Sequence, residues 1–596
     1  MTSARPVRQV DFLTAAFEAS NSVSRAGNVF HASRPWAIVR FGGFVLAAGW
    51  WTLECEGDGA LDAVEVRMGS AENPLIVFPG DRAGNRPGAF RILLRRPTVF
   101  DVSLLVAVWP GDVEFSRLRL RRQTAREDAG LALAALRRLS RSSNPFARIG
   151  RVLRHLAAGR SIGMQIADMA APPVQTTAGQ AAVIQSGPLK LLADDGIAVI
   201  VEEGQELDPR AFAIARRALA DNPAARFAYA DRRSPYGMDL QMGWNPELAA
   251  HAGLPASPVF IRRTAQTGAG IADPAAQLRA LAASGEADAG VHIALPLAAG
   301  SPQAFADLPA LPAPDLPRTP SISIVIPTKY KMDLLDKCLA GLSATDYPDM
   351  EVVIVDNGST DPRLPDVLAR ARRALDLSVI VDAGGFNFSR LINAGVRVSR
   401  GELVVLLNDD IEPISGDWLR RMAASLLRSD VGAVGARLLY PDGTIQHAGL
   451  MMGLGGVCGH LWKSASPEAA RRNPHIVYPG FRTAVTGACL GVRRSVFDEA
   501  AGLDEAFAVA FNDIDFCLRL RQLGYRNIYR GDAALIHHES QSRGHDVDPA
   551  SMRRLASETD AFLRRWRDAV RDDPYGSSAL DPMVESGRPH RSLTAS

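Results

Sequence analysis

The segment ELVVLLNDDIEP, at positions 402–413, sets five consecutive apolar residues directly before the polar triplet NDD. Two earlier segments, SISIVIPTKY (321–330) and EVVIVDNGSTD (351–361), have the same form, an apolar run that ends in polar residues. Short apolar runs of this kind are typical of buried strands in a parallel sheet. The carboxyl ends of such strands meet at one edge of the sheet, where ligands bind. The sequence therefore predicts a mostly parallel α/β fold whose functional residues follow its strands.

The polar triplet consists of Asn408, Asp409 and Asp410. A hydrophobic strand that runs into adjacent carboxylates is costly unless a cation compensates the charge. Two neighbouring aspartates at a strand end suit a divalent cation that prefers oxygen ligands, such as Mg²⁺ or Mn²⁺. Asn-Asp pairs are also common in ordinary turns, so the triplet alone leaves both interpretations open.

The composition excludes several classes of protein. The chain has 596 residues, of which 47% are hydrophobic and 22% are charged. Collagen-like, mucin-like and wholly disordered chains are thereby excluded, and the length predicts roughly three or four domains. The formal net charge is +2, from 67 basic and 65 acidic residues, so charge gives no argument for a nucleic-acid partner.

The cysteines and the apolar runs predict a cellular compartment. The five cysteines have no CxxC spacing, which argues against a zinc site or a disulfide framework and favours a reducing compartment. The apolar run Phe44–Leu53 is too short to span a membrane as a helix, and the N-terminus has no apolar core of a signal peptide. We therefore expect a cytoplasmic protein.

A basic segment adds a second expectation about location. Residues 129–160 contain seven arginines and no acidic residue. The spacing of their apolar residues predicts two basic amphipathic helices, which suit an anionic lipid surface. On this interpretation the protein touches the inner face of the plasma membrane peripherally. The alternative interpretation is a solvated connector between domains.

The ordered motifs between residues 320 and 545 resemble the inverting, GT-A-type glycosyltransferases of family 2. The similar branch is that of bacterial surface-polysaccharide enzymes, which includes rhamnosyltransferase-like members. The motifs that carry this resemblance are SIVIPT (323–328), VDNGSTD (355–361), FNFSRLINAG (386–395), VVLLNDD (404–410), GAVGARLLYPDGTIQHAG (432–449), TGACLGVRR (486–494), GLDEAF (502–507), NDIDFCLRLRQLGY (512–525) and HHESQSRG (537–544).

The resemblance implies the residues that bind a nucleoside-diphosphate sugar. They are Pro327, Thr328, Asp356, Asn357, Asn393, Asn408 and Asp409. A carboxylate such as Asp356 can accept the imide N–H of uracil or thymine, which favours UDP- or dTDP-linked donors. The family's Asp-x-Asp motif falls on Asn408 to Asp410, and its first member is an uncharged Asn here.

The resemblance also implies a metal site and a catalytic base. Asp410 and His537 are the expected ligands of Mn²⁺ or Mg²⁺, with His538 as the alternative histidine. Asp513 is the expected base, since an ionised carboxylate can accept the proton of an attacking hydroxyl. Asn512 stands where many members have Glu, and we expect it to cap the helix that carries Asp513. From spacing alone, Asp513 can equally be only a helix N-terminal charge.

The acceptor is expected to bind beside this base. By resemblance, the acceptor region includes Gly487, Ala488 and Asn512, and the acceptor is a glycan or a lipid-linked saccharide. The glycine-rich segment Gly449–Gly459 is expected to be mobile or to allow a ligand to approach closely. Cys489 is expected to be a small buried residue, because inversion needs no covalent intermediate.

An internal repeat predicts a second, incomplete domain. Residues 195–219 parallel residues 401–426, and SPVFIRR (257–263) parallels ACLGVRR (488–494). The alignment places Gly204 opposite Asp410, so the copy is expected to be unable to bind metal. The predicted domains are 1–125 (β-rich, sandwich-like), 126–185 (basic helical connector), 186–318 (degenerate GT-A-like domain with a proline-rich linker), 319–578 (GT-A catalytic domain) and 579–596 (disordered tail).

Two other functions remain open at this point. A nucleotidyltransferase would need a glycine-rich loop after the first strand to grip a triphosphate. Lys329 and Lys331 are present there, but the glycines are not. A glycan-binding scaffold would combine the β-rich domain with two inactive α/β domains. The loss of Glu at position 512 favours that scaffold, whereas the presence of Asp356, Asp410, Asp513 and His537 together argues against it.

Overall fold

The computed structural model of the chain forms two compact units, Met1–Thr176 with Ala595–Ser596, and Thr177–Thr594. The predicted connector 126–185, with its arginine-rich segment, lies outside the residues that the structure describes. The described residues are the strands between Gln9 and Arg122, followed by 189–194, 197–202, 204–234, 237–253, 258–262, 279–280, 286, 288–300, 307–329, 331–538, 549–581 and 585–589.

In the described part of the first unit, ten strands form two antiparallel sheets. One sheet has the order β3-β4-β10-β6-β8, with β1 paired to β10, and the other has the order β2-β5-β9-β7. The two sheets contact each other through β4, β9 and β10, which is the arrangement expected of a β-rich, sandwich-like domain. The strands are β1 (Gln9–Asp11), β2 (Glu18–Ala19), β3 (Val23–Ala26), β4 (Val29–Ala32), β5 (Ala37–Leu46), β6 (Gly49–Asp58), β7 (Glu65–Gly69), β8 (Ala89–Leu94), β9 (Thr98–Ala107) and β10 (Gly111–Arg122).

The second unit begins with a seven-stranded sheet of order β11-β12-β16-β14-β17-β13, in which β15 pairs with β14. We call this domain the half-copy, because its sheet repeats half of the C-terminal sheet. Its elements are β11 (Leu189–Asp194), β12 (Ile197–Glu202), β13 (Glu206–Leu207), α1 (Ala211–Asp221), β14 (Phe227–Ser234), β15 (Gly237–Asp239), α2 (Pro246–Ala252), β16 (Val259–Arg262) and β17 (Gly290–Ala299).

The C-terminal domain contains a ten-stranded sheet of order β20-β19-β18-β21-β28-β23-β29-β22, with β24 on β23 and β27 on β29, and a separate hairpin of β25 and β26. Its strands are β18 (Ile322–Thr328), β19 (Met350–Asp356), β20 (Asp376–Val381), β21 (Leu403–Leu407), β22 (Ile411–Pro413), β23 (Val431–Leu439), β24 (Ile445–His447), β25 (Leu450–Met452), β26 (Cys458–His460), β27 (Gly480–Arg482), β28 (Cys489–Arg493) and β29 (Arg526–His537).

Helices cover both faces of this sheet, so its central strands are buried along their whole length. Every residue of β18 and β21 is buried, which explains why their sequences show no alternation of polar and apolar residues. The helices are α3 (Met332–Ser343), α4 (Leu364–Ala371), α5 (Phe388–Val398), α6 (Trp418–Leu426), α7 (Pro467–Arg471), α8 (Pro474–Val477), α9 (Arg494–Glu499), α10 (Asn512–Gln522) and α11 (Pro549–Arg571). In the described part of the chain, every helix is too short or too polar to cross a lipid bilayer.

The strand directions confirm the predicted fold class. Strands β20, β19, β18 and β21 run parallel, β28 runs antiparallel to β21 and β23, and β29 runs parallel to β23. A parallel half followed by a mixed half is the GT-A arrangement that the resemblance implies. The parallel half places the ends of three apolar strands at one edge, as the sequence predicts.

The half-copy repeats the mixed half of the C-terminal sheet strand for strand. The order β12-β16-β14-β17-β13 matches β21-β28-β23-β29-β22, with the same directions at each step. The register also matches, because Ile197 pairs with Arg262 as Leu403 pairs with Arg493. At the far edge, Glu206 pairs with Ala299 as Glu412 pairs with Ile536. The structure therefore supports the alignment that the internal repeat predicts.

The half-copy differs from the C-terminal domain where ligands are expected. Its edge strand β11 runs antiparallel to β12, whereas β18 runs parallel to β21. The matched registers place Gly204 at the position of Asp410 and Gly300 at the position of His537. A Cβ atom at Gly300 would lie 2.9 Å from Cα of Gln205, so backbone fills the place of a side chain there.

The half-copy is docked on the C-terminal domain by hydrogen bonds to backbone. The buried Asn245 caps α2 by accepting a hydrogen bond from the backbone N–H of Leu248. The same amide group donates to the carbonyl of Phe481 (2.9 Å) and accepts from its N–H (3.0 Å), like a strand neighbour. Nearby, Arg428 pairs with Glu247 at 2.5 Å.

The expectation of a disordered tail from residue 579 is wrong for residues 579–581 and 585–589. Ala579 and Leu580 are buried, and the Glu585 side chain accepts a hydrogen bond from the backbone N–H of His460 at 2.8 Å. Glu585 also forms an ion pair with Lys463 at 3.2 Å. The polar composition of this segment gave no sign of these long-range contacts, because they depend on a hairpin more than one hundred residues away.

We predict that Asn245→Ala weakens the docking of the half-copy. The variant loses a helix cap and two buried hydrogen bonds, which together stabilise the fold by about 2–3 kcal/mol. Urea unfolding followed by tryptophan fluorescence should show an earlier transition. Asn222→Ala is the matched control, since Asn222 donates only an exposed hydrogen bond to Ala218. Equal shifts in both variants would contradict the docking role.

Candidate active site

Three of the predicted motifs meet at the carboxyl ends of β18, β19 and β21. Thr328 and Asp356 are register partners at the ends of β18 and β19. The hydroxyl of Thr328 donates a hydrogen bond to Asp409 Oδ2 at 2.7 Å. The polar triplet therefore lies beside the first strand end, although about eighty residues separate the two in the sequence.

The end of β19 is built as a preformed turn. The backbone N–H of Ser359 donates to Asp356 Oδ1 at 2.7 Å. The buried Asn357 donates from its amide to the carbonyls of Asp382 (2.7 Å) and Gly384 (2.9 Å), which follow β20. A carboxylate has two oxygens and about four lone-pair sites, so Asp356 keeps acceptor capacity for a ligand. Both amide hydrogens of Asn357 are used in these two hydrogen bonds, so Asn357 holds this turn in place.

The pairing of β22 with β29 brings Asp410 and His537 together. Ile411 is the register partner of His537, and the backbone N–H of His538 donates to the carbonyl of Asp410 at 3.0 Å. His537 Nε2 lies 3.2 Å from Asp410 Oδ1, and both side chains are buried. The neighbouring His538 instead pairs with Glu412 Oε2 at 2.8 Å. The structure therefore separates the two histidines and favours His537 as the candidate ligand.

The donor atoms of this pair suit a divalent cation. Ligands at about 2.1 Å on adjacent corners of an octahedron lie about 3.0 Å apart, close to the separation of Asp410 Oδ1 and His537 Nε2. A carboxylate oxygen suits both Mn²⁺ and Mg²⁺, whereas an imidazole nitrogen suits a transition metal such as Mn²⁺ better than Mg²⁺. Within the described residues, no three His, Cys, Asp or Glu side chains converge to hold a metal by themselves. Oxygens of a bound diphosphate are suitable further ligands for a cation at this pair.

Asp513 lies in the first turn of α10 and contacts the turn of Thr486 to Cys489. Its Oδ2 accepts a hydrogen bond from the backbone N–H of Gly487 at 2.7 Å, and its Oδ1 accepts one from Ile514 at 2.8 Å. The carbonyl of Ala488 accepts the backbone N–H of Asn408 at 3.0 Å. Two consecutive residues, Gly487 and Ala488, thus connect Asp513 with the polar triplet.

The electrostatic environment of Asp513 has two opposing parts. Burial raises the pKa of the Asp513 carboxyl above its ordinary value. The hydrogen bonds from the backbone N–H groups of Gly487 and Ile514 act in the other direction, because they favour the ionised form. A carboxylate with a raised pKa and a place at a helix N-terminus is a suitable proton acceptor near neutral pH.

Asn512 does not cap α10. The helix begins at Asn512 itself, and the preceding Phe511 takes the N-cap place with a left-handed backbone conformation (φ 64°). The Asn512 amide donates to the carbonyl of Val509 at 3.1 Å and so closes the loop before the helix. The helix ends at Gln522, and Gly524 follows with φ 92°, a conformation that suits glycine after a helix.

Asn393 holds a loop in this structure. Its amide donates to the carbonyl of Leu503 (2.9 Å) and accepts from the N–H of the same residue (3.0 Å). A further bond reaches Glu505 at 3.1 Å. Asn393 therefore ties α5 to the segment before α10, and its role in donor binding stays a prediction.

His447 contacts the backbone beside the predicted acceptor region, and no sequence motif predicted a role for it. His447 is fully buried, and its Nε2 accepts a hydrogen bond from the backbone N–H of Thr486 at 3.4 Å. Its Nδ1 lies 3.0 Å from Nδ1 of His460. Because Nε2 is the acceptor, the proton of neutral His447 belongs on Nδ1. Burial lowers the pKa of His447 well below its ordinary value, which fits this neutral form. The motif QHAG (446–449) was the available signal, but spacing alone did not give a partner.

The glycine-rich segment forms the hairpin of β25 and β26. Gly449 has φ 99°, and a Cβ there would lie 2.5 Å from the Arg482 side chain. The close approach is therefore to Arg482, a buried cation that donates to the carbonyls of Ala448, Phe481 and His475. The N–H of Met452 donates to Asp573 Oδ2 at 2.8 Å, which fixes the hairpin to the C-terminal segment.

Comparison with known proteins connects this site to a family. Residues 323–499 match the sequence model of the family described as Glycosyl transferase family 2. The chain is 42% identical to the uncharacterized protein y4gI of Sinorhizobium fredii over 272 residues, which cover 43% of this chain and 28% of that protein. It is 36% identical to the O-antigen biosynthesis protein RfbC of Myxococcus xanthus over 283 residues, 46% of this chain and 21% of that protein.

A shorter relative is matched along most of its length. The chain is 29% identical to an N-acetylglucosaminyl-diphospho-decaprenol L-rhamnosyltransferase of Mycobacterium tuberculosis over 276 residues, 41% of this chain and 86% of that protein. By contrast, the matched part spans about a quarter of the first two relatives. These matches confirm the resemblance to family 2 that the ordered motifs carry.

We predict that the buried thiols near this site are unreactive in the native protein. Burial raises the pKa of Cys489 and of Cys517 to about 12. At pH 8 such a thiol is ionised in about one molecule in ten thousand, and the thiolate is the reactive form. Iodoacetamide labelling at pH 8, followed by mass spectrometry, should modify both residues only after unfolding in urea. Rapid native labelling of Cys489 would contradict this and would reopen a nucleophilic role.

Proposed function

We propose that the chain, whose residues 323–499 match the model of glycosyl transferase family 2, is an inverting glycosyltransferase of cell-surface polysaccharide synthesis. It transfers a sugar from a nucleoside-diphosphate sugar to a hydroxyl of a glycan or lipid-linked acceptor. One observation carries the proposal. The pair Asp410 and His537 and the half-buried carboxylate of Asp513 are joined through Gly487 and Ala488 at the edge of the sheet where the parallel strands end.

The donor side is proposed from the ends of β18 and β19. Asp356 accepts an imide N–H of uracil or thymine, with Pro327 and Thr328 beside it, so UDP- and dTDP-linked sugars are the favoured donors. Asn408 and Asp409 face the ribose and diphosphate, with Asp409 oriented by the Thr328 hydroxyl. The name of the Mycobacterium relative states a rhamnosyl group and a lipid-diphosphate-linked sugar, and we extend this class of acceptor to the present chain.

The metal is proposed as Mn²⁺ or Mg²⁺, held by Asp410 and His537 and completed by oxygens of the donor. When bound, it supplies positive charge that stabilises the departing nucleoside diphosphate. Asp410 and His537 are well suited to hold it, because their donor atoms already face each other at 3.2 Å in a buried place. The chain's own residues thus fix where the diphosphate lies relative to Asp513.

The reaction is proposed as a single displacement. Asp513 accepts the proton of the acceptor hydroxyl, the hydroxyl oxygen forms a bond to the anomeric carbon, and the bond from that carbon to the diphosphate oxygen breaks. Attack from the side opposite the leaving group inverts the anomeric configuration. The N–H of Gly487 holds one oxygen of Asp513, so the carboxylate is oriented before the acceptor arrives.

A cytoplasmic protein with peripheral contact to the inner face of the plasma membrane stays the prediction made from the sequence. Contact of the arginine-rich segment 129–160 with the inner face of the plasma membrane would bring a lipid-linked acceptor to the site. That segment lies outside the described residues, so the contact is proposed from its sequence alone.

We predict that Asp410→Ala and His537→Ala each weaken metal-dependent donor binding by at least about ten-fold. Each variant removes one of two protein ligands of the cation. The measurement is calorimetric titration of UDP- and dTDP-sugars with Mn²⁺, and again with EDTA. His538→Ala is the matched control, because His538 pairs with Glu412 and should leave binding unchanged. Loss of binding in His538→Ala alone would show that the wrong histidine was chosen.

We predict that Asp513→Asn lowers kcat by about 10²–10⁴-fold and leaves the donor Kd unchanged. The amide cannot accept the acceptor's proton, but it keeps the size of the carboxylate. Rates of nucleoside-diphosphate release with donor and acceptor give kcat, and titration gives Kd. A parallel loss of donor affinity would instead assign Asp513 to donor binding.

The same residue predicts the pH dependence of transfer. Burial raises the pKa of Asp513, so its ionised fraction falls at a higher pH than for an ordinary Asp, whose pKa is about 3.9. On acidification, kcat should therefore fall along a limb that begins above pH 4. The residual activity of Asp513→Asn should lack this limb, and its persistence would assign the limb to another group.

A further inference from the structure

The loop that precedes α10 is held by a carboxylate from the C-terminal helix. Glu558, in α11, is buried and accepts three backbone N–H groups in a row. Oε1 accepts from Ala508 (3.0 Å) and Val509 (3.2 Å), and Oε2 accepts from Ala510 (2.7 Å). Hydrogen bonds to an ionised acceptor are about twice as strong as neutral ones. One side chain thus fixes three consecutive residues of a loop that reaches Asp513 three positions later.

The same helix also supports the strained residue between that loop and α10. Phe511 has a left-handed backbone conformation, which is unfavourable for a residue with a bulky side chain. Its ring stacks on the buried Phe562 of α11, with centroids 4.9 Å apart and planes 23° apart. Strain of this kind persists only where surrounding contacts over-determine it. Glu558 and Phe562 lie one helical turn apart on α11 and act on adjacent parts of one loop.

A third contact joins α11 to the first turn of α10. Asp515 is fully buried and receives Trp566 Nε1 (2.8 Å) and Arg565 Nη1 (2.7 Å) from α11. Arg519, one turn along α10, pairs with its other oxygen at 2.8 Å. Asp515 is therefore an anchor of the helix, and Asp513, two residues before it, is left to face the site. These contacts separate the roles of the two aspartates that the sequence presents together.

The opposite side of the loop is fixed by α5. The N–H of Phe388 donates to the carbonyl of Ala508 at 2.7 Å, and the hydroxyl of Ser389 donates to the carbonyl of Phe507 at 2.7 Å. The loop 507–511 is thus held between the first turn of α5 and helix α11. Since the N–H groups on one side bind Glu558 and the carbonyls on the other bind α5, the loop has little freedom to move.

We propose that Glu558 is a positioning residue for Asp513, and this proposal rests on the proposed function of Asp513. Glu558 acts through the loop 508–510 and has no contact with the reacting groups. A displacement of about 1 Å at a reacting group can cost about 10²-fold in rate. By fixing the start of α10, Glu558 holds the Asp513 carboxylate at the distance where the Gly487 N–H orients it.

Two variants of Glu558 grade the loss of this contact. Glu558→Gln keeps the shape and one acceptor oxygen, but it places an NH₂ group against at least one of the loop's N–H groups. Glu558→Ala removes all three hydrogen bonds. Asp568→Asn is the matched control, because Asp568 lies exposed on the same helix. Thermal unfolding of all three variants identifies any that fail to fold, and Glu558→Gln keeps the test valid if Glu558→Ala does so.

The first measurement is hydrogen–deuterium exchange of the loop amides, which needs no substrate. The amides of Ala508, Val509 and Ala510 should be protected in the wild type and in Asp568→Asn. They should exchange at least about ten-fold faster in Glu558→Ala, because their acceptor is gone. Unchanged exchange in that variant would overturn the proposal.

The second measurement separates positioning from general stability. Glu558→Gln should lower kcat by at least about five-fold and Glu558→Ala by at least about ten-fold, with the Kd of UDP and dTDP in Mn²⁺ unchanged. The acid limb of kcat should stay in place, because Asp513 still accepts the proton. A fall in nucleotide affinity parallel to kcat, or an unchanged kcat, would overturn the positioning role. If the wild type turns over no UDP- or dTDP-sugar while its loop amides are protected, the proposed function has failed, and the positioning role falls with it.

Discussion

The antiparallel pairing of β22 with the end of β29 is the contact on which the candidate site depends. β22 has only three residues, yet its register fixes Asp410 beside His537, which comes from the other end of the domain's sequence. A shift of one residue in this register would turn His537 to the other face of the sheet and would present a neighbour in its place. The pairing therefore determines which side chain lies beside Asp410.

The half-copy contains the same strand pairing without the candidate ligands. Its short strand β13 pairs with its long strand β17 in the same register as β22 with β29. The positions that match Asp410 and His537 hold Gly204 and Gly300. In the half-copy two buried carboxylates of that region share one arginine, since Arg232 pairs with Glu202 at 3.0 Å and with Asp239 at 2.6 Å. The half-copy is joined to the C-terminal domain through Asn245.

Buried carboxylates around the site follow one physical rule with different outcomes. Asp515 and Glu558 each accept three hydrogen bonds and serve as anchors. Asp573 accepts from Met452, Thr483 and Tyr575 and holds the hairpin of β25 and β26. Burying a charged group costs free energy unless the group forms hydrogen bonds. Each of these three carboxylates therefore fixes the segments that supply its donors. Asp513 lies among these anchors and accepts two backbone N–H groups, and burial raises its pKa as it raises that of Asp573.

The apolar runs and their order determined the sheet, the strand ends and the domain family, because local hydrophobicity and short motifs lie within single segments of the sequence. They also led to Asp356, Asp410 and Asp513, each next to a strand end or a helix start. Other features were decided by the tertiary structure alone. Only the β22–β29 register distinguishes His537 from His538, and only long-range hydrogen bonds give Asn393 and Glu558 their roles in holding loops. The physical reason is that these hydrogen bonds and strand pairs join residues that lie from about fifty to more than one hundred positions apart in the sequence. The two adjacent histidines also have side chains on opposite faces of a strand. Composition and spacing show neither the distant partner nor the face on which a side chain lies.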